Sequence, residues 1–89
     1  MNDDLYTLQP RQIVMYAVEW CPDCRRAKFF MKRRNIPYEM VNVDEDARGA
    51  DFVKQVNRGQ RSVPTIIFPD GSIMVEPSEE QLTAKFSNS

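Results

Sequence analysis

The hydrophobic period of this chain changes abruptly at Pro22, and that change restricts the fold more than any other feature. Ahead of it, "RQIVMYAV" (11–18) is an apolar run rich in strand formers, short enough for a buried strand. Behind it, Ala27, Phe30 and Met31 share one face at helical spacing, as far as about Arg34. Pro22 stands where a first helical position would be, which suits its fixed φ and missing N–H. Asn35 and Pro37 stop the helix. A strand–helix–strand unit pairs its strands in parallel through a right-handed crossover.

The second strand of that unit is "PYEMVNVD" (37–44), with Tyr38, Met40 and Val43 set against Glu39 and Asn42, and Val41 breaking the alternation. Asp44 or Asp46 can cap a second helix running to about Val56, with Phe52, Val53 and Val56 inward and acids in its first turn. "NRG" (57–59) is its stop signal. "VPTIIF" (63–68) and "SIMVE" (72–76) read as two further strands, joined by a "PDG" hairpin in which Asp70-Gly71 supplies positive φ. Ser78 and Gln81 form a capping box for a last helix that Leu82 and Phe86 would dock. The expected class is therefore α/β. Its order is β-α-β-α-β-β-α, a mixed four-stranded sheet flanked by three helices on both faces. Residues 1–10 read as a loose N-terminal segment and 11–89 as one domain, without repeat or linker.

Composition narrows function. There is no histidine, which removes Cys-His pairs, Ser-His-Asp triads and imidazole ligands. A structural zinc site wants four Cys or His ligands, and the chain has two cysteines, so no metal is expected. The formal net charge of −1 gives no reason to expect nucleic acid or a membrane surface. No apolar run approaches the ~20 residues that span a bilayer. The acidic start "MNDDLYTLQP" is unlike a secretory signal. A cytoplasmic location is expected, and in that reducing setting a permanent disulfide staple is not.

The two cysteines are Cys21 and Cys24 of "WCPDC". Free N–H groups and the dipole at a helix start stabilise a thiolate. Cys21 falls at that start, and Cys24 follows one turn later on the same side. A Cys-x-x-Cys pair alone also occurs in zinc ribbons. Its position after a strand and before a helix points to redox chemistry, with Cys21 as nucleophile and Cys24 as resolving thiol. Trp20 is either a platform for a substrate or a plug at the end of the first strand. Helix one carries Arg25, Arg26, Lys28, Lys32, Arg33 and Arg34. These cations either favour a thiolate and anionic partners or form a solvated face; the solvated reading suits the last three better. Asp23 suits a helix's first turn but opposes negative charge at Cys21.

"WCPDC" and "SVPT" (62–65) together make the chain resemble a glutaredoxin of the thioredoxin-fold superfamily over about 12–86. "FVKQVNRGQRSVPTIIFPDGS" with the following "EPS" is similar to the mycoredoxin group in particular. The resemblance implies that Pro64 is cis and that the Val63 backbone pairs with a bound thiol at Cys21. It also implies that Trp20, Pro22, Asp23 and Arg61 border the thiol site, although Arg61 could equally be a solvated loop charge. The implied activity is thiol-disulfide oxidoreduction on proteins carrying mixed disulfides. The co-substrate would be a low-molecular-weight thiol, mycothiol or glutathione, with no tightly bound cofactor. A disulfide reductase could recharge it, and a monomer is expected. One departure bears on the thiol. Where many glutathione-using members have a glycine-rich loop, this chain has "EPSEE" (76–80), and acids there would repel a γ-glutamyl carboxylate. Two other readings stay open: a thioredoxin-like donor recharged by a flavoprotein, and an iron–sulfur carrier, which the stiff Pro22 disfavours.

Overall fold

The computed structural model describes residues 3–87. Its elements are β1 (Val14–Ala17), α1 (Pro22–Arg33), β2 (Glu39–Asn42), α2 (Ala47–Val56), β3 (Thr65–Ile67), β4 (Ile73–Val75) and α3 (Glu79–Ser87), preceded by a 3-10 turn at Asp3–Tyr6. The sheet order is β2-β1-β3-β4. β1 and β2 are parallel, as their helical crossover requires, and β3 runs antiparallel to both β1 and β4. This is the mixed four-stranded sheet with three helices that the order of elements predicts.

The pleat decides which helix covers which face. The register puts Tyr16 beside Val41 and Thr65, all on one face. The Phe52 ring of α2 lies 5.4 Å from that of Tyr16, so α2 covers this side. Ile66 and Phe68 point the other way. There the Phe86 ring of α3 sits 5.9 Å from Phe30 of α1 and 5.8 Å from Phe68. Covering both faces explains why β2 does not alternate as its sequence suggests: Val41 is buried under α2, Val43 is buried just past the strand end, and Met40 packs from the opposite face.

Local signals set the ends of the elements. Asn35, at φ 57, takes the left-handed backbone that stops α1. Asp46, not Asp44, caps α2, its carboxylate accepting the Gly49 N–H at 3.1 Å. The acidic run therefore precedes this helix rather than filling its first turn. At the hairpin only Gly71 has positive φ, at 88. Asp70 instead accepts from the Ser72 N–H at 2.9 Å, so its side chain, not its backbone, shapes the turn. The Ser78–Gln81 capping box forms reciprocally, at 2.9 and 3.1 Å. Within the first ten residues the 3-10 turn packs on the α2 face: Leu5 offers its carbonyl to the Tyr16 hydroxyl, and the Tyr6 hydroxyl donates to Asp46.

Candidate active site

β1 and β2 end side by side, with the Val43 N–H donating to the Ala17 carbonyl at 3.0 Å. Just beyond their carboxyl ends the chain turns into α1, the place where parallel strands in open α/β sheets leave room for a ligand. Cys21 occupies the N-cap of α1, with extended backbone at φ −89 and ψ 121. Its carbonyl already accepts the first helical bond, from Arg25 N–H at 3.0 Å. Its sulfur accepts the Cys24 N–H at 3.2 Å, so a free helix donor points at Sγ. Pro22 follows at the first helical position, where it removes a donor the helix does not need.

Cys24 is a turn further in and wholly buried, whereas Cys21 keeps 8% of its surface. Both thiols are free. Burial, followed by the hydrogen bond with Cys21, pushes the Cys24 thiol up to about 12. At neutral pH Cys24 therefore carries its proton, and the accessible sulfur of the pair is that of Cys21.

Val63 and Pro64 form the facing wall. Their peptide bond is cis, as the resemblance implies. The Cys21 thiol points at the Val63 carbonyl, with 3.9 Å between Sγ and oxygen. Two part-buried contacts hold this wall in shape: Thr65 Oγ1 donates to the Ser62 carbonyl at 2.7 Å and accepts from Asn57 Nδ2 at 3.0 Å. Asn57 is the C-cap of α2, so the end of that helix braces the loop opposite the cysteines. Thr65 is the one buried polar residue of the core among the described residues, and these contacts satisfy it.

The rim is built from acid–arginine contacts. Asp23 meets Arg26 at 3.0 Å, one turn along α1, so the charge that should oppose a thiolate is compensated by a cation from the same helix. Trp20 is 64% exposed but tethered, its Nε1 donating to Asp44 at 2.8 Å. Arg61 donates to the other Asp44 oxygen at 2.6 Å and to the Val43 carbonyl at 3.0 Å. The Arg61 guanidinium first, and the Trp20 indole second, hold the Asp44 carboxyl below its usual range. Of the "EPSEE" acids, Glu79 is tied to Arg33 at 3.0 Å. Glu76 has φ 49, a left-handed backbone that normally favours glycine, and its N–H donates to the Pro64 carbonyl at 2.8 Å.

The structure thus gathers Cys21, Cys24, Pro22, Val63 and Pro64 around one sulfur, with Trp20 and Arg61 joined through Asp44 at the edge. Sequence reasoning treated Asp44 only as a possible helix cap. Nothing local marks it, because its two partners lie 24 and 17 residues away in the chain. Among the described residues, no three Cys, Asp or Glu side chains converge as a metal-ligand group. The arrangement can present a nucleophilic sulfur beside a backbone carbonyl, with a protonated second thiol beneath it.

The glutaredoxin family model matches residues 13–73. A Mycobacterium tuberculosis protein named as a glutaredoxin is 37% identical over 73 residues, covering 82% of this chain and 87% of its own length. Mycoredoxin 1 of Corynebacterium glutamicum is 34% identical over 73 residues, covering 82% of this chain and 90% of its own. Among solved structures, the Archaeoglobus fulgidus glutaredoxin superposes with a TM-score of 0.66 at 27% identity, covering 82% of this chain and 83% of that one. A thioredoxin-like protein superposes with a TM-score of 0.75 at 26% identity, covering 89% and 99%.

Proposed function

The chain belongs to the glutaredoxin family and is a thiol-disulfide oxidoreductase; from that premise we propose that it reduces protein mixed disulfides through Cys21, with mycothiol as its small thiol. The observation that carries the proposal is the Cys21 sulfur at the α1 N-cap, 3.2 Å from the Cys24 nitrogen and facing the cis Val63–Pro64 wall.

In the proposed cycle the Cys21 thiolate attacks the small-thiol sulfur of a protein–S–S–R disulfide. The bond to the protein sulfur breaks, the protein thiolate leaves and takes a proton, and Cys21–S–S–R forms. A second small thiol, as thiolate, then attacks the R sulfur, restoring the Cys21 thiolate and releasing R–S–S–R. The reducing equivalent comes from the second small thiol, which is oxidised as it joins the first in R–S–S–R. In the dithiol branch Cys24 gives up its proton and attacks Cys21, expelling R–S⁻ and leaving a Cys21–Cys24 disulfide for an external disulfide reductase. A turn of helix separates the two sulfurs' residues, so this attack needs little movement. The Val63 backbone would hold the cysteinyl part of R beside Cys21, and the Trp20, Asp23 and Arg61 side chains would border it. The protein would work as a monomer in a reducing cytoplasm.

Charge supports mycothiol over glutathione. Glu79 is engaged with Arg33, so it repels an incoming carboxylate less than a bare acid would. Glu76 and Glu80 still make that edge acidic. A γ-glutamyl carboxylate would meet them, whereas a sugar–inositol group would not. Recycling assays with mycothiol, glutathione and bacillithiol in parallel test this. The fastest turnover is expected with mycothiol; equal or faster turnover with glutathione would overturn the choice of thiol. The likeness to a thioredoxin-like protein favours one second reading, direct recharging by a flavoprotein reductase. NADPH with thioredoxin reductase would then sustain turnover without any small thiol.

A further inference from the structure

We propose that Asp44 sets the charge preference of the thiol site, by holding Arg61 and Trp20 together and withholding the Arg61 guanidinium from anionic thiol ligands. The inference rests on the Cys21-centred reading above and goes beyond it to a residue that touches neither cysteine. Both Asp44 oxygens are occupied, one by Trp20 Nε1 at 2.8 Å and one by Arg61 at 2.6 Å. The two partners stand close to the site in sequence: Trp20 directly precedes Cys21, and Arg61 stands two residues before Val63 of the facing wall. Asp44 thus links the residue before Cys21 to the segment that leads into the Val63–Pro64 wall.

Without Asp44, Arg61 would be a cation beside the facing wall, free to meet a ligand carboxylate. With it, the guanidinium is compensated and also anchored to the Val43 carbonyl at 3.0 Å. Asp23 compensates Arg26 in the same way at 3.0 Å on α1. At these two positions the guanidinium charge is compensated, so they add little attraction for an anionic thiol, and an uncharged ligand forfeits nothing there. About two-fifths of the Asp44 side chain and a third of that of Arg61 remain exposed, so the charge balance is felt by a ligand in solvent.

The test uses single-turnover reaction of the reduced full-length protein with two probes. One reporter peptide with a single cysteine is disulfide-linked either to mercaptoethanol, which is uncharged, or to mercaptopropionate, a carboxylate. In wild type the uncharged probe should react faster. Asp44→Asn should raise the anionic rate relative to the neutral one by about two- to fivefold, the range of a partly exposed charge pair, and the gain should shrink with added salt. Asn still offers an oxygen to the Trp20 indole. Since Trp20 is the only tryptophan, its emission reports whether the tether survives. Asp44→Ala, which releases both partners, should show at least the same change in ratio. Asp44→Asn combined with Arg61→Gln should return the ratio to that of wild type. Asp70→Asn makes the same charge change at the β3–β4 turn, where Asp70 meets Lys85 at 3.5 Å, and should leave the ratio alone. An unmoved ratio in Asp44→Asn while wild type consumes both probes would overturn the inference alone, as would a gain that persists without Arg61. A wild type inert toward both probes would overturn the Cys21 reading itself, and the inference with it.

Discussion

Helices α1 and α2 begin with the same geometry and different chemistry. In each, the N-cap side chain accepts the N–H three residues on, at 3.2 Å from Cys21 Sγ and at 3.1 Å from Asp46 Oδ1. At α2 the acceptor is a carboxylate. The Tyr6 hydroxyl, more than any other group, holds that carboxylate below its ordinary range, with the Gly49 and Arg48 N–H groups adding to it. That helix start is satisfied permanently and tied to the N-terminal turn. At α1 the acceptor is a sulfur, a weaker cap than a carboxylate oxygen. The donors there are met fully only when the sulfur is negative, so a helix start that is poorly capped as a thiol is a good binding site for a thiolate. The same backbone feature gives stability in one place and reactivity in the other, and the cap side chain alone decides which.

The largest expected effect comes from making the two starts alike. Cys21→Ser should abolish every disulfide-exchange activity, and full activity would sink the reading. Cys21→Asp should be equally inactive yet more stable, by about 0.5–1 kcal/mol in denaturant unfolding, because a carboxylate caps better than a thiol. A loss of stability in that variant would break the comparison. Next, Cys24→Ser should keep turnover of small-thiol mixed disulfides and lose reduction of intramolecular protein disulfides, which separates the cap sulfur from the one beneath it.

At the α2 start, Gly49→Ala would bring a Cβ to 2.7 Å from Val41 Cγ1, and overpacking there should cost about 1–3 kcal/mol with little change in exchange chemistry. Asp46→Ala should cost about 1 kcal/mol, again with activity retained. The pH dependence follows with a definite sign. The folded-state carboxyl of Asp46 titrates below its ordinary value of 3.8. Its contribution is therefore complete above that value and lost as pH falls through the lower, folded one. Asp46→Asn should flatten the acid limb of a stability–pH curve below about pH 4. The smallest effect belongs to Asp23→Tyr. Its exposed pair with Arg26 is of a kind worth about 0.3–0.5 kcal/mol, so turnover with glutathione-type substrates should rise less than about threefold. A tenfold rise would mean that Arg26 does not compensate Asp23.

Much of this was legible locally. The change of period at Pro22 marks a strand-to-helix junction and puts Cys21 at the helix start. The Ser78–Gln81 box and the "NRG" stop are likewise written within a few residues, because caps and turns are made by neighbours in sequence. Strand β2 was harder, since burial on both faces erases the alternation that usually identifies a strand. The choice of Asp46 over Asp44 was also invisible. Both are acids ahead of one helix, and only the arrival of Trp20 and Arg61 from distant segments gives Asp44 its other task. Asp23 seemed out of place beside a thiolate until Arg26 was seen to face it.

What the sequence by itself determined is the set of local devices: where helices start and stop, which cysteine caps one of them, and that the chain has the makings of a redox site without histidine. Tertiary structure alone decided how those devices are joined. It brings the Val63–Pro64 wall, braced by Thr65 and Asn57, to within 3.9 Å of Cys21 Sγ, buries Cys24 completely, and ties Asp44 across the edge of the cleft. The physical reason is range. Capping and helix periodicity act over three or four residues, whereas burial and the pairing of charges depend on which segments the sheet register places side by side.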